Sequence, residues 1–287
     1  MEQSEAEDGE ADASRQLRVA RYSHSLQRGL SILAQFTPER PVLGVAEIAD
    51  ALGMSRATTH RYVTTLVAEG YLKRDESRKY RLAAGAVDLG MAALNAVGIC
   101  KHAAPHMREL AQRSGHTVDL AVLDGSGALL IDSARPRGAK GRSPANDEIG
   151  ARLPLYCTSA GKILLASLPP KRRRTTISAI ELAPLRSSTI TSAPKLLEQI
   201  EKIPDDEIAV DDEERLAGTC SIAIGLRGET GDIVAALSLT AHHGELDLEG
   251  LLVWFSGQLI ATGARISKSL GWQEEMPPPG VEPGSTA

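Results

Sequence analysis

The chain has 287 residues, of which 42% are apolar, 24% charged and 3% aromatic. Those are globular proportions, and at roughly 100–200 residues per domain two domains are expected; a wholly disordered or collagen-like chain is excluded. No apolar stretch approaches the ~20 residues of a membrane span. The acidic start, MEQSEAEDGEADAS, has no apolar core and does not read as a secretory signal. Cys100, Cys157 and Cys220 are widely separated and form neither a CxxC pair nor a disulfide framework, so a reducing, cytoplasmic setting is expected. Net charge is −5, but its distribution is uneven. Residues 1–14 hold six acids and no base, whereas residues 21–90 hold ten Lys or Arg against seven Asp or Glu, a local balance of +3.

Residues 1–16 and the Pro277–Ala287 end read as disordered. Between them, the first predicted helix covers Ser23–Gln35, with Leu26, Leu30, Ile32, Leu33 and Phe36 as its apolar face. Pro38 and Pro41 end it. A short second helix covers Val45–Leu52, with Val45, Ile48, Ala49 and Leu52 inward. Gly53 can take the positive φ of a helix end, and Ser55 is a good N-cap for a third helix, Arg56–Glu69. That helix is read with Ala57, Tyr62, Val63, Leu66 and Val67 inward, and Arg56, Thr58, Thr59, His60 and Arg61 on its other face. Gly70 closes it, and Tyr71–Arg74, a turn at Asp75–Arg78 and Lys79–Leu82 read as a basic β-hairpin.

Helix, glycine turn, helix and basic hairpin follow the order of a winged helix-turn-helix. A helix fits the major groove and presents its first turn to base edges. Arg56 and Arg61 can reach guanine edges or phosphates. Ser55, Thr58 and Thr59 are short enough to let the helix sit deep. Lys73, Arg74, Arg78 and Lys79 can lie against phosphates. A small helical domain with a solvated polar face is the bland alternative.

The residues Ser25-Leu26-Gln27-Arg28-Gly29-Leu30-Ser31-Ile32-Leu33, Glu47-Ile48-Ala49, Gly53-Met54-Ser55, Thr58-Thr59-His60-Arg61 and Leu66–Leu72 resemble the DNA-binding domain of the IclR family of bacterial transcription regulators. The likeness continues through Arg152–Leu155, Thr158–Lys162, Leu164–Ala166, Asp211–Glu214, Gly218 and Ile233–Leu239, and so spans residues 23–270. The resemblance implies an α+β chain. Residues 21–84 form a winged helix-turn-helix and 85–98 a linker helix. Residues 99–272 form an effector domain, a GAF-like antiparallel sheet with flanking helices; 1–20 and 273–287 are tails. It implies a double-stranded DNA operator and a small carboxylate effector as partners. It also implies a homodimer, often paired into a dimer of dimers, with no cofactor and no membrane. Arg56, Thr58, Thr59 and Arg61 would read bases, helped by Ser55 and His60, while Arg28, Lys73 and Arg74 would hold phosphates.

In the second region, strand-like runs Val118–Leu123 and Ala128–Ala134 flank the turn Asp124–Gly127. Residues Pro136–Ile149 read as a mobile loop, and a helix from about Ala160 to Ala166 offers free N–H groups to a carboxylate. Ile222–Leu226 and Ile233–Thr240 read as strands, and Leu246–Leu270 as a final amphipathic helix. Enzyme readings fail. Tyr156 stands where a P-loop ending at Gly161 needs glycine. No GxSxG surrounds Ser159 or Ser221. His102 and His106 lack a third metal ligand, and Pro105 between them suggests a helix start. His242-His243 reads as a solvated turn, as do three of the four acids in Asp211–Glu214. An enzyme or metabolite-binding protein using the helix-turn-helix only to dimerise is the alternative class.

The resemblance places an effector pocket on Leu153, Ser159, Ala160, Asp211, Thr219, Ser221, Ser238 and Thr240, with Leu123 and Leu155 as further apolar walls. Ser238 and Thr240 are two apart, so on a strand they face one side. Many family members carry cysteine at the Ser221 position. Here cysteine is one residue earlier, at Cys220, and that offset turns its thiol to the opposite face. The sequence around Arg152–Ala166 leans toward members that sense acids of aromatic catabolism.

Overall fold

The computed structural model describes residues 22–37, 40–137, 147–203 and 208–273. The predicted tails, apart from Gln273, and the middle of the Pro136–Ile149 loop lie outside them. The chain divides into two compact units between Ala93 and Leu94.

The first unit contains α1 (His24–Leu33), α2 (Val45–Leu52), α3 (Arg56–Ala68), the hairpin β1 (Leu72–Arg74) and β2 (Tyr80–Leu82), and the first part of α4 (Ala84–Val97). Ile32, Phe36, Leu43, Ile48, Val63, Leu72 and Tyr80 form its core. The helix-turn-helix corner follows from three residues. Gly53 closes α2 at φ 62°, and the Ser55 hydroxyl accepts the Thr58 N–H to start α3. Glu47 reaches back to the Gly44 N–H at 2.7 Å, fixing the start of α2. Leu43 and Tyr80 exchange backbone hydrogen bonds, tying the hairpin to the strand-like approach to α2.

Two helical faces differ from their sequence reading. Leu26 and Leu30 of α1 are exposed rather than inward, and with Tyr22 they form an apolar stripe at four-residue spacing. In α3 the inward stripe is Thr59, Tyr62, Val63 and Leu66, while Ala57 and Val67 face out.

The second unit is a six-stranded antiparallel sheet in the order β5-β4-β3-β8-β7-β6. Its strands are β3 (Thr117–Asp124), β4 (Gly127–Ala134), β5 (Arg152–Pro154), β6 (Ala209–Asp212), β7 (Thr219–Arg227) and β8 (Ile233–His242). One face carries Val118, Leu120, Ile222, Ile224, Leu237 and Leu239. It packs on α5 (Ile99–Ser114) and α9 (Leu248–Ser269). The other face contributes Ala121, Ala128, Ala209, Ala223 and Ala236 beneath α6 (Ser159–Ala166), flanked by α7 (Pro170–Ala179) and α8 (Ala193–Glu201). Alanines there let α6 lie close to the sheet. Pro105 lies inside α5 rather than at its start; Gly98, at φ 65°, precedes the helix. Among the described residues no helix is long and apolar enough to cross a membrane.

Candidate functional site

In the first unit the exposed side of α3 presents Arg56, Ala57, His60 and Arg61, with Thr58 half-buried at the edge. Ser55 is exposed, but its hydroxyl both caps the helix and donates to Thr58 Oγ1 at 2.8 Å. Thr59 corrects the sequence expectation: it is fully buried and donates its hydroxyl to the Ser55 carbonyl at 3.1 Å, so it cannot reach a base. Its position four residues before Val63 puts it on the core stripe. The Arg61 guanidinium lies over the Tyr62 ring at 5.8 Å, and Ser25 and Arg28 beside the Tyr62 hydroxyl hold its pKa below the usual value.

On the hairpin, Lys73 stands directly opposite Arg81, both exposed. Like charges so placed repel, and a phosphate between them would relieve that. Arg74 is also exposed, whereas Lys79 pairs with Glu47 at 3.0 Å and is less available to DNA.

The second unit brings all eight expected pocket residues to one cavity. Leu153, Ser159, Ala160, Asp211, Thr219, Ser221, Ser238 and Thr240 line it, and so do Asp119, Asp147, Thr158, Arg215 and Leu216. Leu123 and Leu155 do not line it: Leu155 is buried core, and Leu123 packs beside it. Sheet register explains the convergence. Asp211, Ser221 and Thr240 are partners in one rung across β6, β7 and β8. Ser238 pairs with Asp119 in the next rung, two residues along, hence on the same face. Cys220 falls on the opposite face, in the α5 and α9 core, with its thiol toward the Leu246 carbonyl.

The helix side of the cavity is equally determined. The Thr158 hydroxyl donates to the Pro154 carbonyl at 2.7 Å and accepts the Gly161 N–H at 3.1 Å, which caps α6. The N–H groups of Ser159 and Ala160 precede the first intrahelical bonds. A side chain at Gly161 would lie 2.5 Å from Leu155 Cα, so only glycine lets α6 start this close. The Ser159 and Ser221 hydroxyls bond to each other at 2.7 Å, joining helix to sheet.

The acidic run is solvated only in part: Asp212 is exposed and Glu213 half-buried in a bend, but Glu214 is not solvated. Asp211 and Asp212 belong to β6, and Asp211 and Glu214 are both buried. Lys162 of α6, also buried, donates to the Val210 carbonyl at 2.8 Å and to the Glu214 carboxylate. Glu214 donates its N–H to Asp211 Oδ1 at 2.9 Å. Burial pushes Asp211 up to about 7, the Glu214 charge adds to the rise, and the Glu214 N–H opposes it. Burial likewise pushes Asp119 up to about 6. Arg215, the one cation lining the cavity among the described residues, makes a two-pronged pair with Asp147, both contacts at 2.6 Å. About 30 Å³ of open space remains, room for a water or two, so any organic ligand must widen the cavity.

Asp119, Asp147 and Arg215 are the residues that sequence reasoning missed. The β3 alternation could have put Asp119 on the pocket face; nothing in the sequence pairs Asp147 with Arg215, 68 residues away. His102 is exposed and His106 half-buried on α5, and among the described residues no group of three or more potential ligands surrounds a metal position. His243 pairs with Asp212 at 2.8 Å, which raises its pKa.

The comparisons agree with this architecture. The IclR helix-turn-helix domain profile matches residues 25–76, and the profile for the C-terminal domain of bacterial transcriptional regulator IclR matches residues 91–268. The chain is 36% identical over 220 residues to the HTH-type transcriptional regulator Rv1719 of Mycobacterium tuberculosis, covering 75% of this chain and 83% of that one. The IclR structure of Thermotoga maritima superposes with TM-score 0.68 at 26% identity, over 88% of this chain and all of the other. An IclR homolog from Microbacterium hydrocarbonoxydans, solved with 4-hydroxybenzoate, shares the fold with TM-score 0.75 at 24% identity, over 86% and 98% of the two chains. A helix-turn-helix of this form, a C-terminal antiparallel sheet domain and profile matches over both make the chain a member of the IclR family of transcriptional regulators.

Proposed function

We propose that this protein is a ligand-controlled regulator that binds a pseudo-palindromic operator as a dimer and changes its grip on DNA when a small organic acid enters the second unit. The observation that carries this reading is the convergence of Ser159, Asp211, Ser221, Ser238 and Thr240 on one cavity at the start of α6. Free N–H groups and hydroxyls there suit a carboxylate. On the DNA side, Arg56 and Arg61 read base edges, with Thr58 and His60 beside them. Ser55 shapes the first turn. Arg28, Lys73 and Arg74 hold phosphates. The Tyr22, Leu26 and Leu30 stripe on α1, with Val87 and Leu89 exposed on α4, supports pairing through this region. Two-fold pairing doubles the bases read. Residues 85–98 then act as linker and 99–272 as the effector-binding domain.

The relative solved with 4-hydroxybenzoate makes that acid, and aromatic acids generally, a first candidate class. The effector must bind the DNA-competent and incompetent states unequally. Fluorescence anisotropy tests the reading, with the gene's own upstream region against a scrambled duplex at fixed salt. Sequence-preferring binding that an added acid alters is the expected result. Equal binding to scrambled DNA at several salt concentrations would overturn it.

A further inference from the structure

The charge around the cavity is unusual for a site that takes an acid. Arg215 is held by Asp147 through both guanidinium prongs, which leaves that pair neutral. Among the described residues, the remaining charged groups lining the cavity are Asp119 and Asp211. Asp211 Oδ1 accepts the Glu214 N–H, and its other oxygen has no hydrogen bond within the described residues. Among the described residues no ion pair reaches Asp119, which stands on β3 directly opposite Ser238. Its distance along the sheet from the Asp211, Ser221 and Thr240 rung is one step of the pleat. A ligand with its carboxylate at the start of α6 therefore meets two further carboxyl groups on the sheet side. An apolar tail would offer nothing to the second Asp211 oxygen or to the cavity side of Asp119, and buried polar groups left short of partners are costly.

Resting on the acid-effector reading above, we propose that Asp119, acting with Asp211, makes the cavity select acids that carry hydroxyl groups over acids with plain hydrocarbon tails. Hydroxyls suit the site because they donate to either carboxyl and exchange hydrogen bonds with Ser238 and Thr240. Burial holds Asp211 near 7, so around neutral pH it can donate as well as accept, while Asp119, near 6, acts there mainly as an acceptor. Among the described residues the apolar wall is Leu153, Leu216 and Ala160, which gives a hydrocarbon tail little to bury against.

Calorimetric titration of the full chain tests this with four matched pairs: glycerate and propionate, threonate and butyrate, ribonate and pentanoate, gluconate and hexanoate. In at least one pair the hydroxy acid is expected to bind tenfold or more tighter than its alkanoate. Asp119→Leu should reverse that ratio, improving the alkanoate and weakening the hydroxy acid. Asp119→Ala, which adds no bulk, is read the same way if the leucine variant does not fold. Asp119→Asn should keep the preference. Equal or tighter binding of the alkanoate in every pair that binds, or an unchanged ratio in both Asp119→Leu and Asp119→Ala, overturns the inference and leaves the acid reading standing. Absence of binding by all eight acids, with 4-hydroxybenzoate also silent, overturns both.

Discussion

Asp211→Asn should stabilise the second unit in a way that depends on pH. Asp211 is buried, with its carboxyl raised from 3.8 to about 7 by burial. A raised folded-state value means the neutral acid suits the fold; that advantage is present below 3.8 and is lost as pH rises through about 7. By linkage, the raised value costs about 4 kcal/mol of stability at pH 8, where the folded carboxyl is ionised, but only about 1.5–2 kcal/mol at pH 5, where it is protonated. Asparagine is neutral throughout and can still accept the Glu214 N–H. The variant's advantage should therefore widen by about 2–3 kcal/mol between pH 5 and pH 8, or about 5–10 °C in Tm for a unit of this size. Both tryptophans, Trp254 and Trp272, follow the division at Leu94, so tryptophan fluorescence reports this unit's unfolding alone. Acids that do not couple to Asp211 titrate equally in both proteins and cancel in the difference, while losing the Asp211 charge also relieves Glu214, which adds to the gain at high pH. A Tm gap that stays constant or narrows as pH rises would refute the reasoning.

Four further outcomes are expected. Arg56→Ala should cost about 1–3 kcal/mol on the operator with little change on scrambled DNA, if the side chain reads a guanine; competition titration at fixed salt measures both. Lys162→Met should destabilise by about 3–5 kcal/mol, because Glu214 stays buried without its cation, and adding Glu214→Leu should recover much of that loss in denaturant unfolding. Gly161→Ala should lower stability by about 1–3 kcal/mol, since the new methyl meets Leu155 backbone that cannot step aside; a thermal melt is enough to show it. Leu26→Glu with Leu30→Glu should leave the helical signal intact and yield a monomer by sedimentation, while an unchanged dimer would place the pairing surface elsewhere.

Much of the fold is legible where local chemistry decides. Gly53 and Ser55 announce the corner because few residues take φ near 62° or accept an N–H at a helix start. The cavity residues on β7 and β8 are legible because strand alternation is strict: Ser221 and Cys220 had to face opposite ways. Helix faces are less so. α3 carries threonines on both sides, and Thr59 is buried because its hydroxyl can satisfy itself on the Ser55 carbonyl, which apolar periodicity does not register. α1 has apolar residues on two faces, so spacing alone cannot tell core from pairing surface. Proline inside α5 broke a local rule that tertiary packing overrode. Asp147 and Arg215 meet only because the chain returns to one place after a long excursion.

The register of β7 and β8 divides the labour of the sheet by parity. On β7, Ser221 and Ala223 belong to the face beneath α6, with Ser221 on the cavity, while Cys220, Ile222 and Ile224 belong to the core beneath α5 and α9. Substitution at alternate positions can therefore reshape the cavity while the aliphatic layer that holds the domain together is left untouched. The sheet lets a lineage vary the cavity along one set of positions and inherit its stability along the other. An insertion of one residue in β7 would exchange the two roles at once, so this part of the chain should tolerate point changes far better than changes in length.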